Sequence, residues 1–203
     1  MKQNDFIKLF WNQYLDIESE MLECLKYIEL SEEHYTVYSA KFVSIILECG
    51  AEIDNVFRNI CNIDMGTRSN ISTYYDKVIA QFPNLQHSIA IIKSTPLSFQ
   101  PFKTWSQSQP SKSIPWWENY NSVKHDRVNN FKLASFENAL TILSALFILE
   151  MLYYDKLYNV DSTAYCNIPD KMSNLFKLKD HKLRLRNDCI EKAMDYPIEG
   201  YQS

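Results

Sequence analysis

At 203 residues, 46% apolar and 14% aromatic, the chain is long enough to bury a sizeable core and too hydrophobic to stay disordered. Its three glycines, Gly50, Gly66 and Gly200, leave no glycine-rich phosphate loop, which argues against Rossmann and P-loop enzymes. A formal charge of −4 excludes a generally basic nucleic-acid binder but not a local basic patch.

The charge is unevenly spread. Residues 1–64 carry twelve acidic and five basic side chains, a net −7. Residues 171–186 carry six Lys or Arg against Asp180 alone, a net +5. Five cysteines, at 24, 49, 61, 166 and 189, show neither CxxC nor metal-ligand spacing, as expected of reduced thiols. The first residues show no signal-peptide core, and the most apolar run, Ile142 to Tyr154, is broken by Glu150 and too short to span a bilayer. A cytoplasmic protein that needs no membrane is expected.

Residues 4–30 predict an amphipathic helix, with Phe6, Phe10, Tyr14, Ile17, Met21, Leu25 and Ile28 at steps of three and four. A second helix is expected over 33–61, on the apolar face Phe42, Ile45, Ile46, Cys49, Ile53, Val56, Phe57 and Ile60. Glu48 and Glu52 stand one turn apart on it, with Asn55 and Asn59 continuing that row. Such a carboxylate pair suits a diiron bundle only with Glu-x-x-His on other helices. That motif does not occur, and neither a metal nor a cofactor is expected.

A shorter helix over 71–82 is stopped by Pro83. The insert 84–114 is rich in Pro, Ser and Gln, with strands expected at 89–92 and 97–99 and Phe99, Phe102 and Trp105 as anchors. Pro115 opens the next helix, 116–128, with Ser113 placed to cap it. A break at Asn129–Asn130 precedes the longest helix, 131–158, apolar nearly all round from Leu140 to Leu152 and therefore expected at the centre. Near the end, 175–186 alternates apolar and basic residues in the manner of an amphipathic β-hairpin. Its basic face serves either solubility at a sheet edge or nucleic-acid contact.

The stretch richest in chemistry is Trp116 to Arg127. On a helix, Asn121 and His125 are neighbours one turn apart, Trp117 lies one turn earlier, and Lys124 and Arg127 flank them. A His beside an amide and two cations can grip an anion or move a proton near neutral pH. Equally, it can be a half-buried His held by hydrogen bonds. In that case it needs partners, and Glu52 on the second helix is placed to supply one.

Two long N-terminal helices, an irregular insert, and Trp116-Trp117-x-x-Tyr120-Asn121-x-Val123-Lys124-His125-x-Arg127 before an apolar helix resemble the HEPN superfamily. The resemblance covers residues 4–62 and 114–158. It implies a mainly all-α bundle of four to five helices over 1–160, with a small β element in the insert and another in an extension, 161–203. HEPN domains are often dimeric and occur in toxins, phage-defence proteins and RNA-processing nucleases. Catalytic members cleave RNA without a metal, using an Arg and a His four to six residues beyond it. Asn121 and His125 match the polar residue and the His, while Tyr120 stands at the Arg position. The resemblance makes His125 the general acid/base, Lys124 and Arg127 phosphate neutralisers, Asn121 an orienting group and Glu52 the acidic partner, with Tyr120 and Trp117 lining the pocket.

Three readings follow. One is a binding module for RNA, a nucleotide or a partner such as an antitoxin or defence protein. The second is a metal-independent ribonuclease acting as a toxin-like effector, and the third a structural helical homodimer.

Overall fold

The computed structural model describes residues 1–64, 66–93 and 95–186, and it is mainly helical with one small antiparallel sheet. The N-terminal helix begins as α1 (Gln3–Phe6), widens through a π-helical turn over Ile7–Trp11, and continues as α2 (Asn12–Cys24). It stops at Cys24 and does not reach residue 30. The second long helix, α3 (Ala40–Cys61), starts seven residues later than the pattern predicts. The reason is a long-range pairing. Residues 37–39 run beside 134–136, with Tyr38 bridged to Ser135, Phe136 N–H donating to Val37 O at 2.7 Å and Ser39 N–H to Ala134 O at 3.3 Å. Ser39 and Ser135 then cap the two helices that diverge from this crossing. At its far end α3 is closed by Asn62 in the left-handed conformation, so it stops at Cys61, where the sequence pattern places its end.

Helix α4 (Ile71–Gln81) opens with a capping box between Asn70 and Thr73. Then come β1 (Ala90–Ile92) and β2 (Ser98–Phe99), paired antiparallel. Helix α5 (Pro115–His125) ends where Asp126 leaves helical geometry, ahead of the expected break. Asp126 caps the short α6 (Arg127–Asn130), and a 3₁₀ turn at Phe131–Leu133 leads to α7 (Phe136–Val160).

The expected hairpin over 175–186 does not form. Only Phe176–Leu178 is a strand, β3, and it pairs with β1 of the insert, giving the order β2-β1-β3. The β elements of the insert and of the C-terminal extension are thus one sheet. Asp180, at φ 59°, turns the chain away, and Leu185 forms a bridge to Cys166 instead. Arg184 pairs with Asp155 at 2.5 Å, and Arg184 and Arg186 lie 5.2 and 5.0 Å from the Tyr158 ring centroid. Two cations of the basic segment therefore fold back onto α7.

Helix α7 is the centre, covered by α3 along its length and by α1, α2, α5 and the sheet elsewhere. Seventeen of its 25 residues are buried, including Leu143, Phe147, Ile148 and Tyr154. It is the one described helix long and apolar enough to cross a membrane, and 78% of its most apolar window lies inside the fold.

Around α7 the extension is fastened by a buried carboxyl. Glu18, 1% exposed, accepts from Tyr14 Oη at 2.5 Å, Asn174 N–H at 2.7 Å, Leu175 N–H at 3.2 Å and the Ser173 hydroxyl. One α2 side chain thereby satisfies the backbone that leads into β3. Replacing Glu18 by Ala takes the acceptor from these donors and leaves the buried Leu175 N–H unpaired, at a cost on the order of 3 kcal/mol. Urea denaturation is expected to show the corresponding fall in midpoint, with amide exchange accelerated first at residues 173–178.

Candidate active cleft

The inward face of α5 fixes everything near it. Trp116, Trp117, Tyr120 and Val123 are buried at steps of one, three and three, as a helix lying on a core requires. Ser113 does not cap this helix; its hydroxyl accepts from Ser106 N–H, and Ile114 occupies the cap position. Trp116 Nε1 donates to Pro101 O at 2.8 Å and ties α5 to the insert, while Asn119 Nδ2 donates to Asn138 Oδ1 at 2.9 Å and ties it to α7.

Tyr120 lies on α3 at the one place where α3 has no side chain. A Cβ built on Gly50 would stand 2.3 Å from the Tyr120 ring. A mid-helix glycine gives up about 1 kcal/mol of helix propensity relative to Ala. Here it lets the two helices approach. The outer edge of the ring is covered by Lys124, whose Nζ is 3.1 Å from Tyr120 Oη and 5.2 Å from the ring centroid.

Beside this contact a cleft of about 570 Å³ opens between α3, the entry of α4 and α5. Its walls include Asp54 and Asn55 from α3, Ser69, Asn70 and Ser72 around the start of α4, and Trp117, Tyr120, Asn121 and Lys124 from α5. Four of the sequence-predicted residues thus come together. Asn121 spends its amide N–H on Trp117 O, one turn back, at 2.9 Å. Asp54 is engaged from two sides, by Arg58 Nε at 2.9 Å and Tyr74 Oη at 2.7 Å. Burial and then the Asp54 carboxylate push the Tyr74 phenol up to about 12, although Ser69 opposes this.

The remaining predicted residues lie elsewhere. His125 is exposed and lines neither of the clefts on α3, and so is Arg127. The expected half-buried His held by Glu52 is corrected on both sides. α5 ends at His125, so its last turn has no neighbour packed over the His. Glu52 meets Asn55 Nδ2 at 3.2 Å and faces a second cleft, of about 550 Å³, with Leu9, Phe10, Asn59 and Asn62. Asn55 lines both clefts.

One residue has its environment more strongly perturbed than any of these. Glu150, in the middle of α7, is 0% exposed, and both carboxyl oxygens lack a hydrogen-bond partner among the described residues. Burial, and secondarily the charge of Glu52, push its pKa well above the usual carboxylate range, which favours the protonated form. Burial likewise raises Glu52. The sequence signal for Glu150 was its isolation in an otherwise apolar helix. Gly50, Asp54 and the start of α4 carried no such signal, because only the packing of α3 against α4 and α5 gives them a role.

Comparison with protein-family models, curated proteins and solved structures finds no match.

Two outcomes follow from this packing. Gly50→Ala is expected to destabilise the fold by about 1–3 kcal/mol despite the better helix propensity of Ala, since the Tyr120 ring must move. Thermal melts check the stability, and the Tyr120 ring resonances check the displacement. Glu150 binds its proton more tightly folded than unfolded, so its contribution to stability is full below 4.5 and falls as pH rises above it. Glu150→Gln is therefore expected to gain on the wild type by up to about 1.4 kcal/mol per pH unit above that point. Below it the two should converge, as denaturation across pH 4–8 would measure.

Proposed function

We propose that the chain is an HEPN-like binding module that holds a phosphate-bearing ligand, a nucleotide or RNA, in the cleft between α3, α4 and α5. The observation that carries this reading is the meeting of Lys124 with the capped start of α4 across a cavity of about 570 Å³. A helix start favours negative charge, and an ammonium group opposite it adds a second attraction. Ser69, Asn70 and Ser72 offer hydrogen bonds there, and a cleft of this size suits a small ligand. The acid in the wall, Asp54, has its charge met by Arg58.

Binding is favoured over cleavage because His125 has none of the partners that orient a general base, among the described residues, and because Glu52 opens on the other cleft. A homodimer belongs to the same proposal. It rests on the family resemblance, which implies paired motifs. A cytoplasmic place in phage defence or a toxin–antitoxin pair is the setting that the family resemblance implies.

Titration with ATP and with a short single-stranded RNA, followed by calorimetry at fixed salt, tests the reading. Saturable binding is expected, weakened by about tenfold or more in Lys124→Ala and little changed in His125→Ala. The proposal is overturned if neither probe binds, or if Lys124→Ala binds as the wild type does. Cleavage of the RNA that disappears in His125→Ala would replace it with the ribonuclease reading.

A further inference from the structure

The second cleft lies between the π-helical turn and α3, away from Lys124, and it has the opposite character. Along α3 its wall is Glu52, Asn55, Asn59 and Asn62, which fall at steps of three, four and three and so share one face. The facing wall is apolar: Leu9, 61% exposed, and Phe10, both carried by the π-helical turn. Such a turn inserts an extra residue into the helix and is frequent at functional sites.

Two positive groups line this cleft, and neither is seated on Glu52. Arg58 is already engaged, with Nε on Asp54 at 2.9 Å and a terminal nitrogen 3.2 Å from Thr67 O. The Met1 amino end also lines the cleft, but among the described residues the partner of Glu52 is the neutral Asn55 amide and no ion pair. Asp64 adds a second acid to the rim. Behind Glu52 stands Glu150, wholly buried and without a hydrogen-bond partner among the described residues, and Glu52 is the charged group that acts on it. A positive group seated at Glu52 meets that carboxylate directly and removes the charge that acts on Glu150. A metal ion does not meet the requirement, because among the described residues no three His, Cys, Asp or Glu side chains gather as one needs. An ammonium group does: it takes one carboxylate and the carbonyl oxygens of side-chain amides as acceptors.

We propose that this cleft is a binding site for a small organic cation, an alkylamine whose ammonium group meets Glu52 and the Asn55–Asn59 amides while its aliphatic stem lies on Leu9. The cavity of about 550 Å³ accommodates a stem of several carbons. The site is independent of the phosphate cleft apart from the shared wall at Asn55.

The test is titration of the full chain with 1,5-diaminopentane, followed by NMR, against sodium chloride at matched ionic strength. Saturable shifts at residues 9–10 and 52–62 are expected with the diamine and not with the salt. Glu52→Gln should weaken binding by about tenfold or more, while Lys124→Ala should leave it unchanged. Leu9→Ser, at an exposed position that folding does not depend on, should weaken the diamine several-fold and leave methylammonium as it was. Shifts that do not saturate, or that sodium chloride reproduces, overturn the proposal. So does equal affinity in Glu52→Gln, or, if that variant does not fold, equal affinity in Leu9→Ser. Failure of ATP and RNA to bind, with the amine still bound, would remove the phosphate reading alone.

Discussion

A helix with no polar face has to be covered on every side, and α7 imposes that requirement on the whole chain. Its buried residues run almost without interruption from Phe136 to Tyr158. One partner helix covers only part of such a cylinder. Helix α3 takes one side, the N-terminal helix and α5 take others, and the small sheet closes what remains. The C-terminal extension is recruited for the same purpose: β3 packs against α7, and the Glu18 carboxyl holds the chain that leads into it. Burial on this scale also explains how the fold tolerates Glu150. The neighbours that exclude water from it also hold α7 in place.

The helices and their inward faces were legible in the sequence because they depend on local spacing. Trp117 and Tyr120 facing in, and the central position of α7, follow from periodicity alone. What escaped depends on partners distant in the chain. Residues 35–38 fall inside the helix expected from residue 33, yet Tyr35 O and Val37 O accept from Glu137 and Phe136 N–H, more than ninety residues on. The alternation over 175–186 was read as a hairpin closing on itself, whereas its first half pairs with β1, some 85 residues earlier. The π-helical turn is a one-residue irregularity that no apolar spacing announces.

The site shows the same division. Asn121 and His125 share a helix face, as their spacing requires, but sharing a face does not fix burial. His125 is the last residue of α5 and stands exposed, while Asn121, one turn earlier, is part-buried. Glu52 and Asn55 are three apart on α3, close enough to seem one row. Yet α3 is a cylinder with a groove on each side, so Asn55 reaches both clefts while Glu52 reaches only one. A helix position specifies an angle about the axis, and the chain beyond decides what that angle looks into.

All four tryptophans are buried, from Trp105 at 0% to Trp117 at 7% exposure, and three of them belong to the insert and α5. Trp116 lies 5.7 Å from Phe102 and 5.8 Å from Trp117, Phe102 is 5.8 Å from Trp105, and Trp117 forms part of a cleft wall. Excited indoles screened from water emit at the blue end of their range, so the native protein carries its own optical probe. Trp117, 5.1 Å from Tyr120, lies where α5 meets α3. Light from this corner reports how Tyr120 sits over Gly50, and the fourth indole, Trp11, reports separately from its bond to Lys171 O at the junction of the N-terminal helix with the extension.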